Sequence, residues 1–389
     1  MNSNNFNRDK WKNRIISDVA TEINQRIENP HLSEYEKFIG LEDFESGVLE
    51  LKKWNRTEIV KSAMKIFQKG DVLFARRNAY LKRASFVNFN GVCSGDALVI
   101  RPKENEITSK YLSITFNSDK LWNYAIANAA GTMSKRIKWR DLAVFLFSLP
   151  PLEEQKRITD MLYKIEDAIE QNEQQQKSLI QFKKGLLNKL FQENGSLGNL
   201  IMPEDCKKVR FGDVTIQVKT NISPADSGLE RFVAGEHMQT DDLKIRSWGE
   251  IGEEYIGSAF TRKFNKGHVL YGSRRTYLRK VAVAEFDGIC ANTTFIIEAK
   301  KDIFSQRLLP YLMHSESFTL HSISNSKGST NPYINWKDIA WFEFPLPNII
   351  LQEKAANLFE NIDKVIEQTK QHKEKLIAFK KGLLNELIG

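Results

Sequence analysis

Two patterns of apolar residues alternate along this chain. Short apolar runs broken by polar turns fill roughly residues 1–150 and 207–347, whereas heptad spacing fills about 152–192 and 349–388. In the first kind, Gly70-Asp71-Val72-Leu73-Phe74 and Ala97-Leu98-Val99-Ile100 read as strands, as do Val269-Leu270-Tyr271 and Thr294-Phe295-Ile296-Ile297. Such runs of β-branched and aromatic residues suit a buried pleated surface. Helical spacing intervenes at Lys110 to Ala127 and at Ile303 to His321. A compact α+β domain is expected in each half.

In the second kind, apolar positions alternate by four and three. Ile158, Leu162, Ile165, Ile169, Leu179, Leu186 and Leu190 form the seam, which Asn172, Gln176 and Lys183 interrupt. Ala355, Phe359, Ile362, Ile366, Leu376, Leu383 and Leu387 repeat it, with Thr369, Lys373 and Lys380 at the interruptions. This is a coiled-coil seam; its polar middle costs stability but can fix register. Pro150-Pro151 ahead of Glu153-Glu154 marks the first helix start, since proline suits the first turn and carboxylates suit the positive end of the dipole. Gly195 marks its end, ahead of a Ser/Gly/Asn linker and Pro203. At 1.5 Å per residue each helix is about 60 Å long.

The chain is written twice. A shift of 197 residues carries Lys69 onto Lys266 and runs without a gap from about residue 67 to residue 191. Lys69-Gly70-Asp71-Val72-Leu73-Phe74 falls on Lys266-Gly267-His268-Val269-Leu270-Tyr271, Gly91-Val92-Cys93 on Gly288-Ile289-Cys290, and Trp139-Arg140-Asp141-Leu142 on Trp336-Lys337-Asp338-Ile339. Phe182 to Asn188 and Phe379 to Asn385 are identical. Earlier the register slips, yet Trp54 still matches Trp248. Two copies are too few for a solenoid, so this is a tandem duplication. The boundaries expected are a first domain at 1–150, a helix at 151–195, a linker at 196–206, a second domain at 207–348 and a second helix at 349–389.

Formal charge is +8 and the isoelectric point near 9.1, a balance that favours a polyanionic partner. The polar start MNSNNFNRDK carries no apolar signal core, and the longest apolar stretch, Leu142 to Leu149, is too short to span a bilayer. Cys93, Cys206 and Cys290 are widely spaced, and the six histidines are scattered, so neither a disulfide framework nor a zinc site is expected. A cytoplasmic protein without a metal follows.

Two like units, each a globule plus a helix, bury their seams most simply against each other. Antiparallel pairing gives a pseudo-two-fold axis within one chain. A two-fold reader of duplex DNA addresses half-sites about 34–36 Å apart, and globules of different sequence would read different half-sites. The tandem itself, the run Leu-Pro-Pro-Leu-Glu-Glu-Gln-Lys-Arg-Ile at 149–158, the repeated Phe-Lys-Lys-Gly-Leu-Leu-Asn box and Lys-Gly-Asp-Val-Leu-Phe-Ala-Arg-Arg at 69–77 resemble type I restriction–modification specificity subunits. The resemblance covers nearly the whole chain. It implies two tandem α/β target-recognition domains, each followed by a long helix, with the helices paired as an antiparallel coiled coil. It also implies a double-stranded DNA target that is bipartite and asymmetric. Two DNA-methyltransferase subunits using S-adenosylmethionine would be recruited, and restriction subunits using ATP and Mg would join them. No cofactor or catalysis is expected in this chain. Asn348 and Leu351 depart from the first run and leave the second helix start less typical.

DNA reading needs cations for phosphates and forked donors or amides for base edges. One candidate is the turn after the Val-Leu-aromatic strand, with Arg76, Arg77, Tyr80, Lys82 and Arg83 in the first copy and Arg274, Arg275, Tyr277, Arg279 and Lys280 in the second. A solvated hairpin tip is the alternative, and Tyr80 and Tyr277 could equally be core residues. The other candidate lies before the matched tryptophan: Thr132, Ser134, Lys135 and Arg136, and Asn325, Lys327, Ser329, Thr330 and Asn331. It changes between copies while its flanks do not; an ordinary variable loop would do the same. Trp139 and Trp336 read as hydrophobic anchors, Cys93 and Cys290 as buried small hydrophobes. Gly185 and Gly382 suit close helix crossing or partner docking, or else a simple bend. Among rival functions, Asn331-Pro332-Tyr333 hints at an adenine-methyltransferase motif, but no glycine-rich cofactor turn follows a strand. Asp241-Asp242 is too isolated for a nuclease. A coiled-coil scaffold without DNA readout, or the specificity arm of a related methyltransferase system, remains the alternative.

Overall fold

The computed structural model describes residues 6, 8–192, 195–197, 199–252 and 256–388. Residues 1–5 and 7 of the polar start, Glu193 and Asn194 at the end of the expected first helix, and Gly198 of the expected linker lie outside the described residues. The chain divides into two units, Met1–Gln174 with Lys370–Gly389, and Gln175–Thr369.

In the first unit, one five-stranded sheet runs in the order Arg26–Ile27, Met64–Phe67, Gly91–Cys93, Lys37–Ile39, Asn55–Arg56. A second runs Ala20–Ile23, Ala97–Pro102, Val72–Ala75, Ala84–Val87, Glu50–Leu51. Val72–Ala75 and Ala84–Val87 are buried at every position; the first is a continuous apolar run, and in the second the buried Ser85 hydroxyl donates to Val48 O. The second unit has two four-stranded sheets, Gly249–Glu250, Arg231–Val233, Gly288–Ala291, Phe260–Phe264 and Thr215–Val218, Thr294–Ala299, Val269–Gly272, Val281–Val283. Register is kept between copies: Leu73 faces Val99, and Leu270 faces Ile296.

Both long helices form, as Leu152–Phe191 and Ile349–Ile388. In the first unit, Ile158 and Leu162 share one core with Leu383 and Leu387, together with Phe74, Phe116 and Trp122 of the domain. In the second, Leu187, Leu190 and Phe191 pack with Ala355, Phe359 and Ile362 against Phe211 and Phe318. The segments are antiparallel: Lys373 pairs Glu173 at 2.5 Å, and seven residues on Lys380 pairs Glu166 seven residues back. The lysine interruptions are therefore salt-bridged positions, Lys183 meeting Asp363 at 2.5 Å in the second unit. Ile158, Leu162, Leu190, Phe359, Ile362, Leu383 and Leu387 are buried, while Ile165, Ile169, Leu179, Leu186, Ile366 and Leu376 are half-buried.

Three local expectations are corrected. The span Lys110 to Ala127 is two helices, Ser109–Phe116 and Asp119–Ala127, because the Ser118 hydroxyl accepts from Leu121 N and starts the second. Ile303 to His321 is a turn followed by Leu309–Met313 and Glu316–Ser324, with Ser315 as the equivalent cap. Gly185 and Gly382 do not serve a close helix crossing among the described residues, since a Cβ at either would meet nothing within 4 Å there. Asn348, the departure at the second helix start, acts as a cap: its side-chain oxygen accepts from Leu351 N at 3.1 Å.

The helix starts also hold a matched pair that sequence reasoning missed. Gln155 Nε2 donates to Pro150 O and Glu106 O, and its Oε1 accepts from Thr108 N. Gln352 does the same with Pro347 O, Ile303 O and Ser305 N. The available signal was a glutamine kept at the same place in both copies.

Candidate nucleic-acid interface

Each basic turn leaves a buried strand, makes one tight helical turn and enters the next strand. In the first copy Asn78 and Lys82 flank Ala79–Leu81 with φ of 56° and 49°. In the second Arg275 and Arg279 flank Thr276–Leu278, both at 51°. Left-handed backbone is uncommon outside glycine, so its recurrence marks one specific turn made twice. Ala79 and Thr276 point inward and are buried. Tyr80 and Tyr277 are 65% and 53% exposed, which removes the core reading of both.

The two candidate segments, 55 or so residues apart in sequence, form one surface in each unit. Asn78 N donates to Lys135 O at 2.9 Å and Ile137 N to Arg76 O at 3.1 Å. In the second unit Arg275 N donates to Pro332 O at 2.6 Å and Ile334 N to Ser273 O at 2.9 Å. Side chains reinforce the pairing: Arg77 Nε donates to Ser134 Oγ at 2.7 Å, and Arg275 Nε to Asn331 Oδ1 at 3.2 Å. Thr132, Lys135, Arg274, Ser329 and Thr330 are exposed. Two further exposed residues join the surface, Met133 at 99% and Tyr333 at 43%; Tyr333, the last residue of the Asn331-Pro332-Tyr333 run, pairs through its backbone with Arg274 and Lys327.

The cations are not equally available. Lys82 pairs Asp119 at 2.6 Å, and Arg83 donates to Leu41 O at 2.8 Å. Burial pushes the Arg83 pKa down. Arg279 is held by Asp241 at 2.6 Å, Glu316 at 2.8 Å and His314 O, and Lys280 by Gly235 O. Lys327 reaches Asp338 at 3.3 Å, and Asn325 Nδ2 donates to His321 O. Arg76, Arg77 and Arg136 gather around Asp96. The hydrogen bond from Arg136, aided by the charge of all three, holds the Asp96 carboxyl below its usual range. Asp96 was not legible beforehand, because nothing local in the sequence brings residues 76, 96 and 136 together. Arg77 and Lys135 of the first surface, and Arg274, Arg275 and Lys327 of the second, are the exposed cations of the candidate segments.

The remaining candidates have structural roles. Cys93 and Cys290 are buried strand residues, their thiols pushed up to about 12 by burial. Trp139 packs on the first core, and Trp336 lies against Phe211 and Phe295. Asp241 binds Arg279 and Lys184, and Asp242 binds Arg246. No helix among the described residues is long and apolar enough to cross a membrane.

Two duplicated domains joined to paired long helices are the architecture of a class of DNA specificity proteins. The profile of the type I restriction modification DNA specificity domain matches residues 8–181 and again 203–378, so the chain belongs to that family. It is 23% identical over 322 residues to the type I restriction enzyme MjaVIII specificity subunit of Methanocaldococcus jannaschii, covering 78% of this chain and 75% of that one. It is 27% identical over 161 residues to the EcoDI specificity subunit of Escherichia coli, covering 41% of this chain and only 35% of that one. The fold is shared with the type I restriction–modification S subunit from M. genitalium, at 14% identity, a TM-score of 0.60 and coverage of 100% and 98%.

Proposed function

We propose that this chain directs a type I restriction–modification assembly to an asymmetric bipartite target in double-stranded DNA, each domain reading one half-site. The observation that carries this is the same strained, basic, backbone-paired surface built twice on two different sequences. Arg77, Tyr80, Thr132, Ser134 and Lys135 of the first domain, and Arg274, Arg275, Tyr277, Lys327, Ser329, Thr330 and Asn331 of the second, meet phosphates and base edges. Lys82, Arg83, Arg279 and Lys280 hold the turns in shape.

The chain itself supplies recognition and no catalysis. Two methyltransferase subunits bring S-adenosylmethionine chemistry, and restriction subunits bring ATP and Mg, all in the cytoplasm. The exposed phenylalanines of the repeated box, Phe182 and Phe379, each three residues from an uncovered glycine, are the proposed docking points for those subunits.

The test is a map of modified bases in the source genome with the gene intact and deleted. Loss of one asymmetric two-part motif on deletion is expected. An unchanged map, with the methyltransferase subunit expressed, would return the chain to the scaffold reading.

A further inference from the structure

Three guanidinium groups surround one carboxylate in the first unit, and they are held differently. Arg136 grips Asp96 as a fork, Nε to Oδ1 at 2.9 Å and Nη2 to Oδ2 at 3.1 Å. Arg76 and Arg77 come to 3.6 and 3.7 Å, beyond hydrogen-bond range. A bidentate pair is directional and strong; attraction at the longer distance orients without consuming donors. The backbone ties Asp96 to the same place, since Arg76 N donates to Asp96 O at 3.1 Å. Arg77 spends its Nε on Ser134. The outer nitrogens of Arg77 make no hydrogen bond among the described residues and stand ready for an acceptor.

The duplication supplies an internal control. The counterpart of Asp96 in the second copy is Thr293. Its carbonyl accepts from Ser273 N at 3.1 Å and from the Ser273 hydroxyl at 2.5 Å. There Arg275 is steered by the Asn331 amide instead. The two surfaces share a backbone but not a clamp: one carries a carboxylate at its base, the other a neutral side chain.

We infer that Asp96 and Arg136 form a strut that positions Arg76 and Arg77, making Asp96 a specificity-determining residue of the first domain without contacting DNA. The inference rests on the reading that this surface meets DNA. Its physical content is a trade. The carboxylate cancels one of three positive charges, which lowers sequence-independent attraction to phosphates. In return it holds the remaining forks in one orientation, as base-edge reading requires.

The experiment uses the full chain co-expressed with its methyltransferase subunits, with modified bases mapped and duplex binding titrated with salt. Asp96→Asn removes the charge at nearly constant shape. Discrimination is expected to fall about tenfold at bases of one half-site, leaving the other half intact. That half must be the one disturbed by Arg77→Ala and not the one disturbed by Arg275→Ala. Binding to random duplex should tighten and its salt slope steepen by about one ion. Should Asp96→Asn fail to fold, Arg136→Gln decides: it must relax the same half-site while weakening random-duplex binding. Unchanged discrimination in both variants, or equal loss in both half-sites, overturns the proposal. Absence of any two-part motif with the unaltered chain is a different result, and sinks the underlying reading instead.

Discussion

A primary amide in an apolar seam must satisfy a carbonyl and two N–H groups without water. Gln155 and Gln352 do so with three backbone partners each, stitching the first turn of each long helix to the domain beside it. The cost of losing such a residue is set by what it leaves behind. Gln352→Leu keeps most of the volume but strands Ser305 N and Pro347 O in buried surroundings, and each orphaned buried group costs about 1–3 kcal/mol. Unfolding of the variant in urea should show a loss of about 3 kcal/mol, by far the larger part through the amide's partners rather than its packing. A loss below about 0.5 kcal/mol, within the range of ordinary surface substitutions, would mean that other groups take over and that the matched glutamines are incidental. The same logic explains why the arginines differ in availability. A guanidinium already answered by Asp241 and Glu316, as Arg279 is, has little left to offer a ligand.

At the scale of elements, what the sequence disclosed was whatever repeats with a fixed period. The heptads showed both long helices and their polar interruptions, and the alternation of apolar runs with turns showed the central strands. Helix breaks were hidden because Ser118 and Ser315 interrupt patterns whose apolar spacing carries on across them; a single hydroxyl accepting one backbone N–H decides the boundary. Long-range clamps were hidden for a different reason: Asp96 meets Arg136 only after the strand Ala97–Pro102 and the helices Ser109–Phe116 and Asp119–Ala127 have folded between them, and no local pattern encodes that. The fused surface of residues 76–83 and 131–136 was legible as two pieces, not as one. Gly185 and Gly382 remain the elements' odd residues, each sitting in a helix with open space where a side chain would stand. An alanine there should raise stability of the isolated chain by up to about 1 kcal/mol, the usual difference between the two residues in a helix. If a partner docks against that face, Gly185→Ala should at the same time weaken assembly with the methyltransferase subunit, as read by co-purification and analytical ultracentrifugation. Added stability with undiminished assembly would leave the glycines without a docking role.

For the molecule as a whole, the division of the chain into units does not follow the order of the sequence. The first unit is closed by residues 370–389, which come last, and the second by the C-terminal part of the first helix, which precedes it. Leu383, Leu384, Leu387 and Ile388 are all buried in the core of the first unit beside Ile158, Leu162 and the domain aromatics. Each such side chain contributes about 1.5–3 kcal/mol by burial, so together they supply about 6–12 kcal/mol, comparable to the whole stability of an ordinary domain. A chain cut after Thr369 therefore loses something other than its C-terminal end. Hydrogen exchange followed peptide by peptide should show protection collapsing across residues 20–125, more than two hundred residues before the cut, while 206–347 stay protected because their core keeps Phe359 and Ile362. Loss confined to the last helix, with the first domain unaffected, would show that residues 370–388 merely rest on a domain that folds without them. The cooperative outcome carries a functional consequence. If the first domain reads a half-site, loss of residues 370–388 should abolish recognition of that half-site while leaving the second domain folded.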